Sequence, residues 1–284
     1  MESLSKLLKR YGIIKFICMA ADEALHFLNK ATRDILFHWT KEDFGLKEAI
    51  FWSKDIDQYL RYSKIIGEIK KIKHPNNKKK LKILDVGAGG EGIAKFLKYS
   101  HELNKYNIYL FDKDAAALSK VKIATPIVSK EKRLPFADQE FDIVVSLDTL
   151  EHIPKEERAE FLNELKRVGN NILLHFVMHD PDHNFNGRDG DFKFNQWYLK
   201  MFKKEHSWTA EHLQIEPPTF SEIQLTMPDA SITGTQNTDI WFKYLTFSST
   251  PIIGFFTGFV FMLKWKKQFN YPPFHGCFVK SIKS

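Results

Sequence analysis

Residues Leu81–Gly92 read LKILDVGAGGEG. A short apolar run ends at an acid, Asp85, and passes into Gly87, Gly89, Gly90 and Gly92. The apolar-periodic residues Ile93, Ala94, Phe96 and Leu97 follow. This order predicts a strand, a tight loop and a helix. Glycines let the backbone turn sharply and approach a ligand with no Cβ in the way. The loop opens on a helix N-terminus, whose first N–H groups have no partner inside the helix. A nucleotide-like ligand is expected there.

The alternation continues downstream. Strands are predicted at 81–86, 107–111, 125–128, 141–147 and 171–177, and helices at 91–103, 114–121 and 155–167. Strand–helix alternation with short connections gives an α/β fold whose parallel sheet is covered on both faces. Ligands of such sheets bind beyond the C-terminal ends of the strands.

Gly87-x-Gly89-x-x-Gly92 also fits the dinucleotide fingerprint, so a nicotinamide-dependent oxidoreductase is one reading. Four further features favour another. Asp85 stands two residues before the first glycine. The second strand, Tyr109-Leu110-Phe111, ends at Asp112, twenty residues past Gly92. Leu134-Pro135-Phe136-Ala137-Asp138-Gln139-Glu140-Phe141-Asp142 then leads into the apolar IVVSL. Asp148-Thr149-Leu150-Glu151-His152-Ile153-Pro154 ends that strand.

Together these segments resemble the class I S-adenosylmethionine-dependent methyltransferases, in particular those with a methyltransferase type 11-like domain. The resemblance covers residues 81–177. More loosely, WTAEHLQ (208–214) and IWFKYL (240–245) look like the tail of a subgroup found with cell-surface glycan genes. The resemblance implies a Rossmann-like, seven-stranded, mostly parallel sheet whose last strand is antiparallel, with S-adenosyl-L-methionine as cofactor. It implies that Asp85, Gly87 and Gly89 cradle the methionine part, and that Asp112 holds the ribose hydroxyls with Lys113 beside the adenine. Asp148 would line the methyl side. Many relatives carry Gly-Asp shortly before the Leu-Pro-Phe; this chain has Ser129 and Lys130 there, and Glu131 stands in as acceptor for the adenine amino group.

Methyl transfer to a hydroxyl also requires removal of its proton, usually by His, Asp or Glu. Candidates are Glu151 and His152 at the exit of the fourth strand, and His179 and Asp180 beyond the fifth. The plain alternative is that Glu151 and His152 cap the helix starting near Pro154. His179, Asp180, Asp182 and His183 converge on paper as metal ligands, but turn chemistry explains Asp-Pro-Asp equally well, and no metal is expected. Asn270-Tyr-Pro-Pro-Phe274 superficially matches a motif of nucleic-acid amino-methyltransferases, in the wrong place and spacing.

The flanking regions bear on the acceptor. Residues 3–38 read as a basic amphipathic helix, with Leu4, Leu7, Leu8, Tyr11, Ile14, Ile17, Ala21, Leu25 and Leu28 at helical spacing. A second helical stretch spans 46–73, and KKIKHPNNKKKLK (70–82) reads as a charged turn into the main domain. Residues 178–191 read as a long loop, 194–214 and 220–227 as helical, and 230–234 and 274–282 as strands. Between these last two, Tyr244–Leu263 carries no charge and is long enough to span a bilayer. If the strand at 274–282 joins the sheet, the segment cannot cross. It then either dips into one leaflet or is buried as core.

The expected organisation is an N-terminal helical cap (1–78) and a methyltransferase domain (79–284) with an apolar insertion at 241–267. Lys and Arg exceed Asp and Glu by 42 to 35, a balance that suits an anionic partner or merely a solvated surface. Two distant cysteines give no support to a disulfide framework or zinc ribbon, and the N-terminus lacks a signal-peptide layout. The function expected is O-methylation of a small or amphiphilic acceptor, such as a lipid-linked glycan or prenylated ring, by a cytoplasmic protein at the inner face of a membrane. The remaining rivals are a nucleic-acid methyltransferase, although nucleic acid is not the favoured partner, and a non-catalytic membrane-associated module.

Overall fold

The computed structural model describes residues 13–36, 45–73 and 80–283. The first residues of the basic segment and the Pro75-Asn76-Asn77 turn lie outside these. Among the described residues the α-helices α1 (Ile13–Leu36), α2 (Leu46–Trp52) and α3 (Ile56–Lys71) come first. The main alternation follows as β1 (Leu81–Val86), α4 (Gly92–Tyr99), β2 (Tyr106–Asp112), α5 (Ala115–Leu118), β3 (Thr125–Val128), β4 (Phe141–Leu147), α6 (Lys155–Val168) and β5 (Gly169–Val177).

These five strands are parallel, in the order β3-β2-β1-β4-β5. The order reverses between β1 and β4, and that switch point opens the crevice where ligands of such sheets sit. Period-two alternation splits the core. Ile83, Ile143, Val145 and Leu173 face one side with Ile65, Ile66 and Ile69 of α3 and Ala94 and Leu97 of α4. Leu84, Val144, Ile172 and Leu174 face the other with Leu162, Leu165 and Val168 of α6.

Residues 178–191 are not one loop. Two-residue strands β6 (His179–Asp180) and β7 (Phe185–Asn186) pair across a turn in which Asn184 takes φ 63°. Asn tolerates this left-handed conformation better than most residues. Helix α7 (Gly187–Phe202) starts at once, followed by α8 (Ser207–Gln214), α9 (Phe220–Thr226), β8 (Ser231–Asn237), α10 (Thr238–Ser248), α11 (Thr257–Val260) and β9 (Phe274–Ile282). β9 runs antiparallel to both β5 and β8. Among the described residues the sheet therefore has nine strands rather than seven, the small β6–β7 pair being the addition.

The uncharged segment breaks into α10, a 3-10 turn (Ile253–Phe256), α11 and a π turn (Phe261–Trp265). Pro251, which cannot donate a backbone hydrogen bond, lies between the first two pieces. No helix among the described residues is long and apolar enough to cross a membrane. The segment packs on the N-terminal helices: the Ile252 N–H donates to Asp22 Oδ1 at 3.0 Å, and the Ser53 hydroxyl donates to the Phe255 carbonyl.

Helix α1 departs from the usual inside-out rule. Arg33 is 1% exposed, ion-paired with Asp55 at 2.9 Å and stacked 4.4 Å over Trp52. Phe27, on the same helix, is 74% exposed, and Leu25, Leu28 and Ile35 are exposed with it. The helix docks through its charged residues and turns much of its apolar stripe outward.

Candidate active site

The glycine loop is built around two carboxylates. Gly87 has φ +78°, and its N–H donates to the Phe111 carbonyl at 2.8 Å. A Cβ there would lie 2.2 Å from Thr149 Oγ1. Gly92 has φ +45°, and its missing Cβ leaves room for Asp85 Oδ2. That oxygen accepts the Ile93 N–H at 2.7 Å, at the start of α4. Asp85 thus sits beneath the helix, buried, and does not line the ligand cavity.

Burial pushes the Asp85 carboxyl up to about 7, opposed by the Ile93 hydrogen bond and helped by Asp112. The folded chain then keeps a proton that an unfolded Asp releases near pH 4. Its contribution to stability is present below that pH and fades as pH rises towards about 7. Asp85→Asn keeps an acceptor for Ile93 and removes the titration. Its melting temperature without ligand should therefore depend less on pH across this window than that of the native chain. Equal slopes in a melting series would remove this account of Asp85.

Beyond the strand ends lies a cavity of about 510 Å³. Gly87, Phe111, Asp112, Lys113, Glu131 and Asp148 are among its walls. Asp112 Oδ2 accepts from Gly89 N at 2.8 Å and Oδ1 from Asp114 N at 2.8 Å. A carboxylate has about four acceptor positions, so Asp112 can take two further donors, such as vicinal hydroxyls. Gly89 itself lines no wall, and a Cβ there would meet open space. Lys113 and Glu131 are exposed at the rim.

A second cavity, of about 260 Å³, shares Asp148, His152 and Trp208 with the first. Asp148 takes φ +52°, unusual for a non-glycine residue. Its N–H donates to the His175 carbonyl at 2.7 Å, and Oδ1 lies 3.1 Å from His175 Nδ1. Its other oxygen pairs with Arg61 of α3, which also holds Asp57 at 2.6 Å. Asp57 in turn accepts from Tyr244 and, at 3.0 Å, from Gln236 Nε2. Burial and the Arg61 cation hold His175 well below the usual imidazole range.

The opposite wall carries a buried chain of acid and imidazoles. Asp191 Oδ2 accepts from His212 Nδ1 at 2.9 Å, and Oδ1 lies 3.2 Å from His275 Nε2. His212 Nε2 lies 3.3 Å from His152 Nε2. His275 stacks on Trp241 at 3.7 Å. Burial would raise Asp191, but its bonds to His212 and His275 outweigh it and hold the carboxyl below its usual range. Burial pulls His212 down, but Asp191 outweighs it and lifts this imidazole above its usual value.

The four residues singled out as bases separate. His152 lines both cavities, with Nδ1 3.2 Å from the exposed Glu211 carboxylate. Glu151 lines the smaller one; Oε1 accepts from Val177 N at 3.1 Å, Oε2 is buried without a partner, and burial raises its pKa. His179 and Asp180 lie outside both cavities. They hold the β6–β7 hairpin to the next turn. The His179 N–H donates to the Pro218 carbonyl at 3.1 Å, and Asp180 accepts from Phe220 N at 3.0 Å and His183 Nδ1 at 3.0 Å. No three His, Cys, Asp or Glu side chains among the described residues are placed to hold a metal ion. Arg61, Asp57, Asp191 and His275 have no signal in the sequence beyond their residue types; His212 lies in the WTAEHLQ segment, which gives no role for it.

Residues 84–171 match the family described as Methyltransferase domain. This segment is a class I, S-adenosylmethionine-dependent methyltransferase domain. The chain is similar to the chloroplastic tocopherol O-methyltransferase of Arabidopsis thaliana, 32% identical over 142 residues. That alignment covers 46% of this chain and only 38% of the relative. Among solved structures, magnesium protoporphyrin IX methyltransferase from Synechocystis PCC 6803, with bound S-adenosylhomocysteine, aligns over 95% of this chain and all of its own, at 12% identity and TM-score 0.45. A SAM-dependent methyltransferase from Aquifex aeolicus aligns over 76% of this chain and 92% of its own, at 15% identity and TM-score 0.36.

The site fits the cofactor of this domain class. Asp112 and Asp148 line the larger cavity, so two carboxylates face a place for a ligand bearing sulfonium and ammonium charges. The unused acceptor capacity of Asp112 suits ribose hydroxyls.

Proposed function

We propose that this chain transfers a methyl group from S-adenosylmethionine to an oxygen of an amphiphilic acceptor held in the 260 Å³ cavity. The observation that carries the reading is the wall common to the two cavities, formed by Asp148, His152 and Trp208, with His152 at the end of a buried acid–imidazole chain. The relative, by its name a tocopherol O-methyltransferase, supports the choice of an oxygen as acceptor atom.

When bound, the cofactor supplies an electrophilic methyl group. The chain's own residues do the rest. Asp112 holds the ribose hydroxyls, Lys113 and Glu131 flank the adenine, and Gly87 and Gly89 shape the loop beside the methionine part. Asp148 is fixed by Arg61 and His175 at the methyl side. The helices before residue 78 act as a cap, through Asp57 and Arg61 of α3 on the acceptor cavity. This wall aligns the acceptor and excludes water.

His152 takes the acceptor proton. Asp191 accepts from His212 Nδ1, so a neutral His212 presents a lone pair at Nε2. His152 then donates from its own Nε2, which leaves the lone pair on Nδ1, and the exposed Glu211 carboxylate 3.2 Å away must swing aside for the acceptor hydroxyl to reach it. Glu151 and His152 are both candidates by position, but the lone pair set up by Asp191 singles out His152. Titrating S-adenosylhomocysteine and NAD separately into the full chain in a calorimeter tests the cofactor assignment. Binding of the former alone is expected; binding of NAD alone would make the chain an oxidoreductase.

The acceptor's amphiphilic character is supported by the outward apolar surface. Phe27 and Leu28 of α1 are exposed, as are Ile252, Ile253, Phe256 and Leu263 of the insertion, and α1 is tied to the insertion through Asp22. Such a surface on a protein rich in lysine suits peripheral contact with an anionic bilayer at the inner face of a cell membrane. In flotation with anionic phosphatidylglycerol vesicles, the native chain should rise with the lipid and Phe27→Ser/Phe256→Ser should stay below. A native chain that stays below would remove membrane contact but not methyl transfer.

A further inference from the structure

A third cavity, of about 310 Å³, adjoins the acceptor site and shares Arg61, His175 and Gln236 with it. Its lining carries three cationic side chains, Arg61, Lys64 and Lys266, and no Asp or Glu. Tyr59, Phe261 and Phe269 supply aromatic wall. The charge on Arg61 is already met by Asp57 and Asp148. That on Lys64 is not: its ammonium lies 4.9 Å over the Phe278 ring, and no carboxylate among the described residues pairs with it. Glu68, one helical turn on, is bound instead to Lys71 at 2.8 Å and Lys280 at 2.6 Å. Burial pulls the Lys64 ammonium below its usual range, with Cys277 and Glu68 opposing.

We propose that this cavity binds an anionic group of the methyl acceptor, a carboxylate or a phosphate, with Lys64 as its counter-charge. A half-buried ammonium without an anion bears a desolvation cost that only a charged ligand offsets fully. Asn270, also on the lining, accepts from Gln236 N at 3.3 Å, which leaves its amide N–H groups for the same ligand. The two cavities meet at Arg61, His175 and Gln236, so one molecule can place a hydroxyl beside His152 and an anionic group beside Lys64. The aromatic wall suits an apolar stretch between or beside them. The proposal rests on the methyl-transfer reading for the identity of the ligand, but not for the existence of the anion site.

The test uses the full chain and two probes, inorganic phosphate and butyrate, each compared with chloride at constant ionic strength. Thermal melting and calorimetric titration are run on the native chain, Lys64→Met and Lys64→Arg, with S-adenosylhomocysteine affinity measured on all three. Either probe should stabilise the native chain, and Lys64→Met should weaken that binding about tenfold or more, the loss of one charged hydrogen bond. Lys64→Arg should retain most of it, and cofactor affinity should not change. Stabilisation by phosphate alone identifies a phosphate site, and by butyrate alone a carboxylate site. Lack of effect of both probes on the native chain overturns the proposal, as does an equal effect on Lys64→Met. Loss of S-adenosylhomocysteine binding by the native chain would instead strike the methyl-transfer reading. If Lys64→Met does not fold, Lys64→Gln takes its place.

Discussion

Replacing His152 with alanine is expected to lower kcat roughly 10²- to 10⁴-fold, the usual span for a positioned general base, while S-adenosylhomocysteine still binds. The expectation follows from which proton each ring holds. Asp191 is buried and acidic, so it fixes the proton of His212 on Nδ1. The neighbouring Nε2 of His212 then accepts, and His152 turns its only proton towards it. Protonating His212 reverses that contact: His212 donates, and His152 must carry its proton on Nδ1, where the acceptor would need the lone pair. Activity should therefore fall as pH drops through the His212 pKa. Because Asp191 lifts that value above the ordinary imidazole range, the acid limb should lie above about 6.5. Asp191→Asn keeps the shape but loses the charge. It should lower kcat as well and move the acid limb down, which a merely structural role for Asp191 would not do. Full activity of His152→Ala on an acceptor found by screening would move the base elsewhere, with Glu151 next in line.

Much of the cofactor side is readable from the chain because its parts are local. The four glycines, Asp85 and Ile93 lie within one strand–loop–helix unit, and the positive φ angles of that loop restrict which residues can stand there. Asp112 follows from the end of an apolar strand. The acceptor side is not local. Asp191 and His275 are 84 residues apart, and Asp57 and Tyr244 are 187 apart. Asp191 and His275 meet because β9 pairs beside β5 and brings His275 against α7. In the sequence, Asp191 stands in GRDGD, a run rich in turn formers that reads as loop; the structure makes it the first turns of α7. His179 and Asp180 follow a strand end, which makes them candidate bases in the sequence, but they pair with Phe185 and Asn186 and line neither cavity. The uncharged stretch after Tyr244 is ambiguous by composition. Its length fits a bilayer, and only its contacts with Asp22 and Ser53 reveal a broken layer on the N-terminal helices.

Asp112→Ala is expected to weaken S-adenosylhomocysteine binding at least tenfold, and about a hundredfold if both ribose hydroxyls are lost. A hydrogen bond to a charged group is worth about 1.5–3 kcal/mol, and every 1.4 kcal/mol is tenfold in affinity. One such bond already accounts for the lower figure. The same substitution also releases the Gly89 N–H, which Asp112 holds at 2.8 Å, and so loosens the loop that the cofactor must meet. Asp112→Asn separates the two effects. Its amide oxygen can still accept from Gly89 N, so the glycine loop keeps its tie, but the charge that strengthens the hydroxyl contacts is gone and the amide nitrogen cannot accept from Asp114 N. Affinities falling in the order native, Asn, Ala would assign the first drop to the hydroxyl contacts and the second to the loop. Calorimetry of the three proteins decides it, with melting temperatures confirming that each is folded. Unchanged affinity in Asp112→Ala would mean that the ribose lies elsewhere and that Asp112 serves only to brace the glycine loop.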